Sequence, residues 1–196
     1  VFFTNGDYYG LGNTRLNEAI NVADEYKIPK ENVIFLGYGD SLKKDKKHIY
    51  NCNDDELVKS SRGYDSAYGL DNHNSFSNNE FKRINILNDI KEIIELNKPD
   101  TLFCCDYDSH CDHRALSLFF EEALGGILKE DNTYHPDVFK GFAYSTAWAG
   151  NQDFYSLNCK STHLATESDL MQENNIYLWS DRVRFPVAKR SLSRVL

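Results

Sequence analysis

The chain has 196 residues, 41% hydrophobic and 13% aromatic, a composition that supports a globular fold with a sizeable core and excludes disorder. Thirty acidic residues against 22 basic ones leave a net charge of −8, which argues against nucleic acid or an anionic bilayer as partner. No stretch approaches the roughly 20 apolar residues of a spanning helix, and the N-terminus lacks the charged-then-apolar pattern of a signal peptide.

The first predicted strand is "VFFTN", closed by the turn pair Asn5-Gly6. It opens at residue 1 with no Met, and "KRSLSRVL" stops inside a helical pattern, so the segment reads as cut at both ends. Leu16, Ala19, Ile20, Ala23 and Tyr26 recur at helical spacing until Pro29. "NVIFLGYG" is a second strand closed by Gly37 and Gly39. Residues 43 to 80 are rich in Lys, Asp, Asn, Ser and Gly, the composition of a long functional surface loop. Ile84, Leu87, Ile90 and Ile94 predict a second helix ended by Lys98-Pro99, and "DTLFCC" a short buried strand. A third helix carries Leu116, Phe119, Phe120, Ala123 and Ile127 on one face, and "FKGFAYST" is a fourth strand. No internal repeat or low-complexity tract is present. Alternating strands and helices predict one α/β domain over residues 1–196, with a largely parallel sheet flanked by helices. Ligands of such sheets sit at the carboxyl ends of the strands.

"DYDSHCDH", Asp106 to His113, begins where the third strand ends. Imidazole is a common ligand of borderline metals, and a ligating histidine usually donates its other ring N–H to a carboxylate. With a helix starting near Asp112, His110 precedes it and His113 lies in its first turn, so the two can face one cavity in different roles. The competing reading is a solvated turn in which an Asp caps the helix and the histidines are bystanders. Five cysteines (52, 104, 105, 111 and 159) are an odd count without C-x-x-C spacing. They read as reduced thiols, which favours a cytoplasmic setting over a disulfide framework or a four-cysteine zinc site. The oligomeric state is not encoded in any of these patterns.

"TNGD", "RLNEA", "VIFLGYGD", "PDTLFCCDYDSHCDHRAL" and "YLWSDRVRFPV", in that order, resemble the PIG-L/LmbE superfamily of zinc-dependent de-N-acetylases. H-x-D-H followed by Arg-Ala at a strand end is the most specific element. The resemblance implies a Rossmann-like fold and hydrolysis of an N-acetyl group from a glucosamine-containing sugar or conjugate. It also implies that His113 ligates Zn2+, that His110 polarises the carbonyl or protonates the leaving group, and that Arg15 binds substrate. Asp108 is the nearby carboxylate that would favour the charged form of His110. Asp40, which with Asp7 follows a glycine turn, and Arg182 of "SDRVRF" are the further candidates for the sugar pocket.

The family's His-Pro-Asp-Asp-Glu signature, with the other two zinc ligands and the general base, is expected upstream of residue 1, together with the first strand of the sheet. "YHPDVF" at Tyr134 to Phe139 is a poor substitute, since Val138 replaces the second Asp and no Glu follows. His135 is therefore assigned to the loop entering the fourth strand. Tyr144, Trp148 and Trp179 are read as core aromatics before sugar platforms. His48, His73 and His163 lack spacing partners. The expected activity is metal-dependent hydrolysis of an amino-sugar amide, and the alternative is a non-catalytic carbohydrate-binding or scaffolding relative of the same fold.

Overall fold

The computed structural model describes residues 1–41, 49–69, 79–105 and 110–141. Among the described residues four strands alternate with three α-helices: β1 (Phe2–Thr4), α1 (Gly12–Glu25), β2 (Phe35–Tyr38), α2 (Arg83–Asn97), β3 (Thr101–Cys105), α3 (Cys111–Glu130) and β4 (Asp137–Gly141). β1 pairs with β2 and β3 with β4, both in parallel, so the described sheets are two small parallel ones of an α/β fold. The chain divides into two compact units, Val1–Asp89 and Ile90–Leu196. Among the described residues no helix is long and apolar enough to cross a membrane.

In the first unit, α1 buries Leu16, Ile20 and Ala23 against Val33 and Phe35, the one-sided stripe that its 3.6-residue period predicts. Tyr26 departs from that stripe and is 76% exposed, because the helix stops there. Lys27 turns into the left-handed region at φ 56°, and the N–H groups of Lys27 and Ile28 close on the carbonyls of Asp24 and Ala23. This doubly bonded C-cap ends the helix before Pro29 can. Residues of β2 are buried throughout, and Tyr38 donates a 2.6 Å hydrogen bond to Asp89 while stacking on Phe81.

Gly37 does not close β2, contrary to expectation. Phe2 pairs with Phe35 but Thr4 pairs with Tyr38, so β2 holds one extra residue, and Gly37 at φ 80° supplies the bulge. The kink leaves its carbonyl to accept from the Asn5 side chain at 3.0 Å and from the Tyr68 N–H at 2.8 Å. The long polar excursion is thereby tied to the carboxyl ends of β1 and β2.

In the second unit, α3 packs against β3 and is buried on most sides from Ala115 to Leu128. Lys140 of β4 bonds Glu121 and Ser117 of α3 in the interior. The expected fully buried third strand is instead alternating: Phe103 is 78% exposed and stacks on Phe139 with 5.0 Å between centroids. The described sheet is a two-stranded ribbon, and these two rings lie on the same side of it. The α2 stripe is Ile86, Ile90 and Ile94, with Ile84 and Leu87 only half-buried. β4 starts at Asp137, two residues before "FKGFAYST", and His135 lies in the loop before it, as expected.

Candidate functional site

β3 ends at Cys105 and α3 begins at Cys111, which puts the histidine pair at the head of a helix just beyond a strand's carboxyl end. His110 is the N-cap of α3, in extended conformation, and its Nδ1 accepts the N–H of Asp112 at 3.3 Å. The bystander reading had given that capping role to an Asp. The His110 carbonyl takes the Arg114 N–H at 3.0 Å, and the Cys105 thiol donates to the His113 carbonyl at 3.6 Å. His113 is thus anchored from the strand as well as from its own helix.

The rings of His110 and His113 stand 4.5 Å apart between centroids and are tilted by 32°. The Asp112 carboxylate, 5% exposed, has Oδ2 3.9 Å from His110 Nδ1. Buried carboxylates need a cation or donors around them, and the imidazole at this distance becomes such a partner when it is protonated. Cys111 is buried beside them, and desolvation followed by the Asp112 charge pushes its thiol up to about 11. One ligand atom each from His110, Cys111 and Asp112 lie within 4.8 Å of one another. The imidazole of His113, in the first turn of α3, is a donor type that zinc takes, so this residue fits the ion that the family resemblance implies.

The other described candidates belong to the first unit. Asp7 is buried and accepts the Asp40 N–H at 2.8 Å and the Tyr68 hydroxyl at 2.7 Å. Asp40 in turn accepts the N–H groups of Gly6 at 3.1 Å and Tyr8 at 3.0 Å. Two carboxylates that sequence reasoning placed loosely at a pocket therefore build the β1–α1 loop between them. Arg15 pairs with Glu18 at 2.8 Å, and its Cγ would lie 3.2 Å from a Cβ on Gly6, so its stem covers that loop. A cleft of about 150 Å³ opens at the start of α1, walled by Asp7, Gly12, Thr14, Arg62, Tyr64 and Tyr68.

The structure brings His110 to His113, and Asp7 to Asp40 with Arg15 over the same loop. Asp108 and Arg182 lie outside the described residues, as do His48, His73, His163, Tyr144, Trp148 and Trp179. Sequence reasoning missed Tyr68, whose partner Asp7 is 61 positions away, and Cys111, which fills the unspecified position of H-x-D-H. No local signal marks Tyr68. The thiol of Cys111 was visible as a metal-ligand type, but only its burial beside Asp112 gives it context.

The family model for PIG-L, GlcNAc-PI de-N-acetylase, matches residues 1–124, from β1 into α3 and across both histidines. No curated protein and no solved structure matches the chain.

Proposed function

Because the chain belongs to the PIG-L (GlcNAc-PI de-N-acetylase) family, we propose that it is a zinc-dependent hydrolase that removes the acetyl group from an N-acetylglucosamine-type sugar or glycoconjugate. The observation that carries this reading is the head of α3, where His110, Asp112 and His113 stand together in a family of deacetylases. His113 is assigned to the metal. When bound, zinc supplies Lewis acidity toward the acyl oxygen and acidifies water.

His110 is assigned to the proton. Its Nδ1 accepts the Asp112 N–H, so in neutral imidazole the proton sits on Nε2, where it can bond the developing oxyanion. Protonation at Nδ1 exchanges that cap bond for a charge pair with the Asp112 carboxylate, and Nε2–H is then an acid for the departing amine. The side chain is 30% exposed and so reachable by substrate. Asp108 keeps its assignment as a further carboxylate acting on this imidazole.

Arg15, Asp40 and Arg182 are assigned to the sugar. Asp40 already accepts two N–H groups, yet a carboxylate has about four acceptor positions and keeps capacity for a hydroxyl. The Tyr64 and Tyr68 rings, 4.5 Å apart and tilted by 40° beside the α1 cleft, offer aromatic surface of the kind that a pyranose face packs on. The test is acetate release from a panel of N-acetylglucosaminyl conjugates by the zinc-loaded enzyme. Release that stops on chelation and returns with zinc supports the reading. A folded, zinc-loaded protein that leaves every conjugate intact overturns it.

A further inference from the structure

We propose that His110, Cys111 and Asp112 form a second cation position, distinct from the ion assigned to His113, that takes a thiophilic divalent metal such as cadmium, cobalt or excess zinc. Three consecutive residues at a helix start supply an imidazole, a thiol and a carboxylate whose ligand atoms already lie within 4.8 Å of one another. A tetrahedral ion with bonds of about 2.0–2.3 Å holds its donors roughly 3.3–3.8 Å apart. His110 Nδ1 and Asp112 Oδ2, at 3.9 Å, are almost at that separation, and side-chain rotation of Cys111 has to close the remainder.

The surroundings favour capture over a chance meeting of side chains. Cys111 and Asp112 are buried, whereas His110 is half-buried and gives an ion its way in. An ion there neutralises a carboxylate withdrawn from water, which removes part of the cost of burying it. Nδ1 gives up the 3.3 Å hydrogen bond from the Asp112 N–H in exchange for the metal, so the helix start loses a weak cap and gains a stronger tie. The Cys111 sulfur is buried beside the Asp112 carboxylate, so the position selects a cation with high affinity for sulfur. Magnesium and calcium, which prefer oxygen, are excluded on the same ground.

The experiment is titration of the chelator-treated chain with cadmium and with cobalt, read by sulfur-to-metal charge-transfer absorption in the near ultraviolet. The chain has four other cysteines, so the variants carry the argument. One equivalent of metal should give the band in the parent chain, and Cys111→Ser and Cys111→Ala should each remove it. Asp112→Asn should weaken the apparent affinity at least tenfold, His113→Ala should retain the band, and excess magnesium should not compete. Far-ultraviolet circular dichroism confirms that each variant is folded, and Cys111→Ser and Cys111→Ala are independent replacements of the same thiol. No band in the parent chain, or a band that survives in folded Cys111→Ser, overturns the proposal. Loss of the band in His113→Ala also overturns it, because the thiol would then belong to the His113 ion, and the proposed deacetylase activity would stand untouched.

Discussion

His110 and His113 face each other at 4.5 Å between ring centroids, with His110 held at Nδ1 by the N–H of Asp112 at the start of its own helix. Two imidazoles three residues apart are therefore unequal: one is part of the helix cap and the other rides inside the first turn. That inequality is the physical ground for giving them different tasks.

The first expected outcome follows from it. In the metal-loaded enzyme, His113→Ala should lose the tightly held zinc, whereas His110→Asn should keep it and lose about 10²–10⁴ in kcat. Asn is chosen because it caps helices well, so the variant removes the proton carrier without removing the cap. His110→Ala should in addition cost roughly 1 kcal/mol of stability. Zinc content measured by atomic emission decides the matter, and equal zinc loss in both variants would sink the division of roles.

Tyr38 gives a pH dependence. Burial, then the hydrogen bond to Asp89, pushes its phenol well above the ordinary value of 10.0. A raised phenol contributes stability that is fully present below pH 10 and is lost as the pH climbs from there toward the folded value. Tyr38→Phe should cost about 1–3 kcal/mol at neutral pH, because Asp89 loses a buried donor. It should also flatten the decline of stability above pH 10 relative to the parent chain. Denaturant melts at pH 8 and pH 11 measure both effects, and a variant that declines as steeply as the parent would show that other groups control the alkaline limb.

The helices were legible in the sequence because Leu16, Ile20 and Ala23, and likewise Ile90 and Ile94, repeat on the helical period, although α2 buries Ile86 where the pattern pointed to Ile84 and Leu87. Gly37 was misread because a glycine in an apolar run signals either an end or a bulge, and only pairing with β1 tells them apart. The burial of β3 was overestimated for a related reason, since an apolar run does not disclose which of its faces a helix covers. At the site, H-x-D-H announced the two histidines. The bond from Tyr68 to Asp7, and the mutual support of Asp7 and Asp40, depend on the excursion folding back over the strand ends, which no local pattern encodes.

The packing of that excursion can be checked at glycines. A Cβ on Gly39 would fall 2.5 Å from Ser60 Cβ and 3.2 Å from Asp7 Oδ2, so Gly39→Ala must push the excursion off the end of β2. The expected cost is about 1–3 kcal/mol. Gly126, inside α3, would meet nothing within 4 Å, and Gly126→Ala should stabilise by roughly 0.5–1 kcal/mol through helix propensity alone. Thermal melts of the pair give the comparison, and a neutral Gly39→Ala would show that residues 60–68 are not seated on β2 as described.

Arg15 separates substrate binding from structural support. Its guanidinium pairs with Glu18 on the exposed side of α1, an i,i+3 pair of a kind worth little in water, so Arg15→Ala should change stability by no more than about 0.5 kcal/mol. Its stem covers Gly6, whose N–H is held by Asp40, so the side chain sits over the loop that Asp7 and Asp40 build. If the guanidinium holds the sugar equally in ground and transition states, Arg15→Ala raises KM about tenfold and leaves kcat unchanged. Arg15→Lys should recover only part of the loss, since a single ammonium cannot reproduce the planar fork that bridges two oxygens. Steady-state kinetics on the three proteins with one N-acetylglucosaminyl conjugate reads the outcome. A normal KM in a stable Arg15→Ala enzyme removes Arg15 from the substrate site, while a fall in kcat at constant KM moves its contact from the bound sugar to the transition state.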